Sequence, residues 1–174
     1  MRGTIELQTE RLRLRRHAME DAEILYEKFG LDPVMYQYSG WNPYVTEEMA
    51  RDTIQGFIND HESHSYSWAI EYNGALIGTI GAYDYDEEKK QIEIGFSIER
   101  SSWGKGFATE ALVCVLRYLT EEENIENVVA WCASDNIGSM KAMHKAGMKQ
   151  TSIEEHGLSV GNIKFDKLNF SYQR

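Results

Sequence analysis

The chain has little cysteine, little proline and no long hydrophobic run. Its 174 residues include only 2 cysteines, Cys114 and Cys132, which are too few for a disulfide framework and too far apart for a CxxC metal or redox motif. No apolar run approaches the ~20 residues that a membrane-spanning helix needs, and the N-terminal segment lacks the apolar stretch of a secretory signal. We therefore expect a cytoplasmic protein, not bound to a membrane, whose residues 1–174 form a single domain.

Metal and nucleic-acid binding are also disfavoured. The histidines form no HExxH motif and no zinc-binding pair with cysteine, and His61 and His64, three residues apart, lack a third ligand. With 18 Lys and Arg against 28 Asp and Glu, the formal net charge of -10 would repel the phosphates of a nucleic acid. The same charge would raise the local concentration of a cationic ligand such as an amine or a basic peptide.

Hydrophobic periodicity predicts strands alternating with helices. Apolar residues and arginines alternate over 10–17, which indicates a half-buried strand, and a helix over 19–29 follows. The stretch 32–44 contains proline and glycine, so we expect an irregular connection, although it is unusually rich in tyrosine and tryptophan. Thr46 is placed to cap a further amphipathic helix.

The middle of the chain carries a hairpin signal and the clearest strand. Asn73 and Gly74 separate two apolar runs and both tolerate the positive φ of a tight β-turn. Apolar and polar residues then alternate over 92–98. Further elements are expected at 107–120 (helix), 127–133 (strand), 135–147 (helix), 149–156 (strand) and 162–172 (strand). This order predicts an α/β (α+β) fold: a mixed sheet with helices on both faces.

A glycine-containing turn follows the clearest strand and opens a helix. It runs from Trp103 to Ala108, with glycines at 104 and 106. Such a turn exposes backbone N–H groups, and the positive end of the helix adds to the attraction for a phosphate. A tight strand-to-helix turn without a ligand is the alternative. The pattern is neither GxxxxGK[ST] nor GxGxxG, which argues against a P-loop and a dinucleotide fold.

Four ordered motifs span nearly the whole chain. They are Thr9-Glu-Arg-Leu-Arg-Leu-Arg15, Glu93-Ile-Gly-Phe96, Trp103-Gly-Lys-Gly-Phe-Ala-Thr-Glu-Ala111, and Asn136-Ile-Gly-Ser139 leading to Lys145-Ala-Gly-Met148. In this order and spacing the chain resembles the GNAT superfamily of N-acetyltransferases, especially the branch that contains the ribosomal-protein serine and alanine N-acetyltransferases. It departs from the pattern at Ser101, where many members carry Gln or Arg, and at Met148, where Phe is usual. The resemblance implies a GNAT-like sheet of about six to seven strands, mostly antiparallel with one splayed parallel pair.

The resemblance also implies acetyl-CoA as cofactor and a set of residues that bind it. Pantetheine would lie along the strand at Phe96, Ser97 and Ile98. Asn136 would bond the pantetheine arm, or cap its helix, or do both. Lys105 would add a charge-assisted contact to the pyrophosphate, the alternative being a solvated loop lysine. The backbone that would hold the pyrophosphate belongs to Trp103, Gly104, Lys105, Gly106, Phe107, Ala108 and Thr109.

Two side chains are candidates for catalysis. Glu93 alternates onto the face opposite its apolar neighbours and could draw a proton from an acceptor amine through water; an exposed strand carboxylate is the alternative. The resemblance places the Ser139 hydroxyl near the reacting sulfur, although a first-turn serine could simply cap its helix. A backbone N–H near Ser97 would hold the oxyanion. Met143 stands where many members carry a tyrosine acid.

The acceptor side is the least defined part of the sequence. The resemblance implies that Tyr36, Tyr38, Trp41 and Tyr44 form one wall of the acceptor site, because this region flanks the cleft in the family. Of these, Tyr36, Tyr38 and Trp41 are expected to bind the acceptor together with Glu93. Core packing is the alternative for the aromatic residues. The acceptor is a protein N-terminal α-amine or a small-molecule amine. A degenerate domain that binds acetyl-CoA without turnover and a purely structural interaction domain stay open as alternatives. A homodimer is open as well.

Overall fold

The computed structural model of the protein describes residues 2–60 and 64–174, and one sheet runs through them. Its strands are β1 (Leu7–Gln8), β2 (Leu12–Arg15), β3 (Tyr66–Tyr72), β4 (Ala75–Asp86), β5 (Gln91–Ile98), β6 (Asn127–Ala133), β7 (Lys149–Val160) and β8 (Ile163–Gln173). They are ordered β1-β2-β3-β4-β5-β6-β8-β7, and all neighbours are antiparallel except β5 and β6. The expected count of six to seven strands is wrong by one, because the two-residue β1 is too short to show alternation.

Four α-helices accompany the sheet within the part of the chain that the structure describes. They are α1 (Asp21–Leu25), α2 (Glu47–Asn59), α3 (Phe107–Arg117) and α4 (Ile137–Lys145). The chain continues α1 and α3 as one wider π-helical turn each, and a short 3-10 turn at Pro33–Tyr36 interrupts the irregular connection. The predicted cap is present, since the Thr46 hydroxyl accepts a hydrogen bond from the Met49 N–H at 3.1 Å. The predicted hairpin joins β3 to β4, with positive φ at Asn73 and Gly74.

The sheet separates two apolar cores, which confirms the mixed sheet with helices on both faces. On one face α1 and α2 bury residues such as Leu25 and Ile54 against Ala69 of β3. On the other face α3 buries Leu112 and Leu116 against the even-numbered residues of β5. Because side chains alternate along a strand, the odd-numbered residues of β5 point to the face that carries α1 and α2.

The parallel pair diverges soon after it begins. β5 and β6 are paired only from Gln91 opposite Asn127 to Glu93 opposite Val129. Beyond this point β5 stays paired with β4 as far as Ile98, whereas β6 follows β8. The predicted splayed pair is therefore confirmed. It leaves an opening between the carboxyl ends of two neighbouring strands, the usual place for a ligand in a sheet of this kind.

Two further observations concern membranes and metals. Among the helices of residues 2–60 and 64–174, none has the length and apolar character that crossing a bilayer requires. In the same ranges, no three His, Cys, Asp or Glu side chains come together as metal ligands would. Of the two histidines considered as a metal pair, His61 lies outside the described residues. His64 stacks on the ring of Tyr85, with 3.5 Å between ring centroids.

Candidate active site

The glycine turn after β5 has the conformation of an anion cradle. Gly104 and Gly106 both have positive φ, +76° and +80°, which residues with a Cβ rarely adopt. Gly106 is the N-cap residue that precedes α3, and no side chain caps the helix there. The first N–H groups of α3 therefore need another partner. A Cβ built on Gly104 would meet nothing within 4 Å, so the loop is open on that side. These features fit a phosphate group at the start of α3.

The loop continues directly from the free edge of β5. Phe96 and Ser97 are half-buried, and Ile98 is buried. The Trp103 indole N–H donates to the Ile98 carbonyl at 2.6 Å and folds the chain back at the end of the strand. The residues predicted to bind pantetheine and the loop predicted to bind pyrophosphate thus form one continuous run of backbone. Lys105 is exposed, and its ammonium lies 3.4 Å from the Ser101 carbonyl.

The start of α4 lies at the same end of the sheet as the start of α3, because β5 and β6 are parallel. The side-chain oxygen of Asn136 accepts a hydrogen bond from the Ser139 N–H at 3.3 Å. The capping alternative is therefore observed, and the two amide hydrogens of Asn136 are still available as donors to a ligand. Ser139 is half-buried. Met143, one turn further, is 1% exposed and belongs to the core, so it supplies no acid.

Glu93 sits at the base of the opening, where the parallel pairing ends. One of its carboxylate oxygens accepts hydrogen bonds from the Trp131 indole N–H at 2.8 Å and from the Tyr83 hydroxyl at 3.4 Å. Burial, together with the neighbouring Glu93 charge, raises the pKa of Tyr83 to about 12. The Tyr83 hydroxyl therefore keeps its proton near neutral pH and can donate. These contacts hold Glu93 in place and leave its second oxygen free of them.

A cavity of about 250 Å³ adjoins Glu93. Its lining comes from four strands and consists of Gln91, Glu93, Val129, Ala130, Trp131, Thr151, Lys167, Asn169 and Phe170. The Lys167 ammonium lies 5.4 Å from the Trp131 ring centroid and 3.6 Å from a Glu154 carboxylate oxygen. A hydrogen bond from Asn169, with the Lys167 charge, holds the pKa of Glu154 below its usual value. The lining of the cavity thus includes the carboxylate of Glu93 and the ammonium of Lys167.

Sequence reasoning missed Trp131 and Tyr83. Both lie on strands that the pattern predicted, and alternation places them on the same face as Glu93. However, the sequence does not show which strands are neighbours or where two of them diverge. The indole of Trp131 reaches Glu93 across 38 residues of chain. The contact between Trp131 and Glu93 could therefore be found only from the three-dimensional structure.

The aromatic residues of the connection before α2 are divided between core and surface. Tyr44 is 6% exposed and packs in the core under α1 and α2, so the core-packing alternative holds for it. Tyr38 packs edge-to-face on Phe165 of β8, with 5.5 Å between centroids, and Trp41 is 68% exposed. The Tyr36 hydroxyl is buried and has no hydrogen-bond partner within residues 2–60 and 64–174. None of the three predicted acceptor residues, Tyr36, Tyr38 and Trp41, lines the cavity beside Glu93.

Comparison with known proteins agrees with this geometry. Residues 11–149 match the acetyltransferase (GNAT) domain. The chain is 32% identical over 151 residues to uncharacterized N-acetyltransferase p20 of Bacillus licheniformis, covering 84% of each chain. It is 27% identical over 150 residues to the ribosomal-protein-serine acetyltransferase of Escherichia coli, covering 84% of this chain and 83% of that one. The structure of RimL, a ribosomal L7/L12 alpha-N-protein acetyltransferase in complex with coenzyme A, has a TM-score of 0.88 at 17% identity, covering 97% of this chain and 98% of RimL.

The domain match includes both strands of the splayed pair, the glycine loop and the start of α4. The Bacillus relative is similar over most of the chain, so the likeness is not confined to one motif. Family membership makes the protein an acetyltransferase with acetyl-CoA as its co-substrate, and the glycine loop has a conformation that suits a pyrophosphate. The chain belongs to the GNAT family of acetyltransferases.

Proposed function

We propose that the protein transfers an acetyl group from acetyl-CoA to a primary amine bound in the cavity beside Glu93, by direct attack within a ternary complex. The observation that carries this proposal is the fixed position of Glu93. Its carboxylate is held by Trp131 and Tyr83 at the point where β5 and β6 diverge. A base at this position adjoins both the acceptor cavity and the free edge of β5, so amine and donor can meet there.

Each proton in the reaction has a candidate partner. Acetyl-CoA supplies a thioester whose carbonyl carbon is attacked by the neutral amine. Glu93 accepts the proton that the ammonium must lose, directly or through one water molecule. A backbone N–H near Ser97, on the free edge of β5, stabilises the negative charge on the carbonyl oxygen. The Ser139 hydroxyl donates its proton to the departing thiolate and takes back the second proton that the nitrogen loses as the amide forms, so the products are the acetylated amine and free thiol. On this proposal the cofactor-binding residues are those predicted from the sequence: residues 96–98, residues 103–109, Asn136 and Ser139.

The proposed acceptor is a protein N-terminal α-amine or a small-molecule amine. The Escherichia coli relative acts on a ribosomal protein according to its name, and so does RimL, which supports the first class. The overall charge of -10 supports a cationic acceptor in either class. Because acetyl-CoA is an intracellular metabolite, the proposal places the reaction in the cytoplasm. It holds for a monomer and for a homodimer.

Release of free thiol from acetyl-CoA, measured across a panel of amines, tests the proposal. The panel should include simple alkylamines, polyamines, amino-acid amides and short peptides with free N-termini, with product masses recorded for each. We expect one acceptor class to accelerate thiol release and to gain the mass of one acetyl group. Binding of acetyl-CoA without turnover on any amine would support the degenerate-domain alternative, and no binding at all would leave only a structural role.

A further inference from the structure

The turn that leads into β2 is tied to the glycine loop, although 94 residues separate Arg11 from Lys105 in sequence. The Glu110 carboxylate accepts hydrogen bonds from the Thr9 hydroxyl at 2.6 Å, the Arg11 backbone N–H at 2.8 Å and the Arg11 Nε–H at 2.7 Å. Arg11 Nη1 donates to the Lys105 carbonyl at 2.9 Å, and the guanidinium lies 4.5 Å from the Phe107 ring centroid. One side chain thus contacts both the loop and the first turn of α3.

The bond to Lys105 bears on the conformation of the loop. Lys105 stands between the two glycines with positive φ, so its carbonyl direction depends on both of these uncommon backbone conformations. Successive N–H groups in such a turn converge on one side and can bind an anion. A donor that holds the carbonyl between the glycines favours the conformation that presents these N–H groups. Arg11 Nη2 would lie 3.4 Å from a Cβ on Gly106, which places the guanidinium beside the loop backbone.

Glu110 keeps Arg11 aimed at the loop. Burial alone would raise the pKa of Glu110, but the hydrogen bonds from Thr9 and Arg11 outweigh it and hold the pKa below its usual value. The carboxylate is therefore charged near neutral pH. A charged acceptor for the Nε–H fixes the plane of the guanidinium and points Nη1 at the loop. Lysine could carry the same charge but could not contact the carboxylate, the carbonyl and the ring together.

We propose that Arg11 is a positioning residue for acetyl-CoA: together with Glu110 it holds the loop from Gly104 to Gly106 in the conformation that receives the pyrophosphate. This inference rests on the placement of the pyrophosphate proposed above. It assigns a role to the first of the four sequence motifs, whose Thr9 and Arg11 contact the third motif at Lys105 and Glu110. Arg11 acts through the loop and is not itself assigned to the reacting atoms.

Arg13 provides a matched control for Arg11. It lies two residues further along the same strand region and is also partly exposed, and it pairs with the carboxylates of Glu6 and Glu71, whereas Arg11 pairs with that of Glu110. It makes no contact with the loop among the described residues. Arg11→Lys and Arg13→Lys both keep the net charge, so a difference between them reports the contacts to the loop.

The first measurement is the dissociation constant of acetyl-CoA by calorimetry. We expect Arg11→Lys to weaken acetyl-CoA binding about tenfold, because the variant loses roughly one charge-assisted hydrogen bond and the partner that orients it. Arg13→Lys should leave the affinity unchanged. Hydrogen exchange of the free protein should show faster exchange of the amides of residues 103–109 in the Arg11 variant alone. Once an acceptor is known, Arg11→Lys should lower kcat/KM when the donor is acetyl-CoA. It should not do so when the donor is S-acetylpantetheine, which lacks the pyrophosphate.

The results separate this inference from the proposed function. Equal acetyl-CoA affinity in the two variants, or faster exchange spread over the whole sheet in Arg11→Lys, would overturn the positioning role. Absence of acetyl-CoA binding in the parent protein would instead overturn the proposed function. Glu110→Gln is the second variant: it should weaken acetyl-CoA binding in the same direction as Arg11→Lys, and combining the two should cost less than the sum of both.

Discussion

In the proposed function, the opening between β5 and β6 has a donor side and an acceptor side, and the two are built differently. The donor side is backbone: the free edge of β5 over residues 94–98 and the loop over residues 104–106. The acceptor side is a cluster of side chains from three strands, Tyr83, Glu93 and Trp131. A backbone surface depends on conformation, whereas a side-chain cluster depends on particular donor and acceptor atoms. Substitutions should therefore damage the two sides in different ways, and each of the following variants tests that difference.

The largest effect is expected from a conformational change on the donor side. Gly106→Val should weaken acetyl-CoA binding by more than about a hundredfold. The residue has a φ of +80°, a conformation that costs valine roughly 1–2 kcal/mol, and the added side chain also crowds the loop where the pyrophosphate would bind. Calorimetry measures the affinity, and circular dichroism checks the fold. Gly56→Val is the control, since a Cβ at that position meets nothing within 4 Å. Undiminished affinity in the Gly106 variant would place the donor elsewhere.

A smaller effect is expected where the two sides meet. Ser139→Ala should lower kcat by about tenfold or more if its hydroxyl serves the leaving thiolate, because proton transfer to a leaving group is a step of the reaction. The acetyl-CoA affinity should change little, since the contact that the structure shows for Ser139 uses its backbone N–H. Steady-state kinetics and calorimetry give the two quantities. Equal losses in turnover and affinity would reassign Ser139 to binding or capping.

The smallest effect, and the sharpest separation of the two sides, comes from a pair of tryptophans. Each donates its indole N–H, Trp103 to the Ile98 carbonyl and Trp131 to Glu93. Trp131→Phe should lower kcat/KM for the acceptor about fivefold, the worth of one ordinary hydrogen bond, because the Tyr83 hydroxyl still donates to the same carboxylate oxygen. The affinity for acetyl-CoA should stay intact. Trp103→Phe should weaken acetyl-CoA binding and spare the acceptor KM. The same kinetic pattern in both variants would contradict the distinction between a donor side and an acceptor side.

The glycine turn before α3, the hairpin and the helix cap could be predicted from the sequence because their rules are local. Gly104 and Gly106 have positive φ as a tight turn requires, Asn73 and Gly74 close the predicted hairpin, and Thr46 caps the predicted helix. Each of these features depends on a few consecutive residues. The strand count was wrong because β1 has two residues, and a two-residue strand is defined by its partner and not by its own pattern.

The acceptor side could not be predicted in the same way. Alternation places Glu93 on one face of β5, but the contact with Trp131 depends on the register of the parallel pair and on its divergence. The contact between Arg11 and Glu110 likewise joins two motifs that local rules treat separately. Tyr38 and Trp41 were grouped by composition, and the structure places one against β8 and the other at the surface. Contacts between distant segments carry the missing information.

The pH dependence of Glu93→Gln tests the central claim most directly, namely that Glu93 draws a proton from the acceptor. Glutamine preserves size and hydrogen bonding but cannot take a proton, and an α-ammonium or lysine ammonium has a pKa of about 8 or about 10.4. At neutral pH the variant should therefore show a large loss of kcat/KM, of about a hundredfold. As pH rises toward the pKa of the acceptor, the free amine becomes abundant and the loss should shrink. A loss that stays constant with pH, or parent-like kcat/KM throughout, would contradict the account.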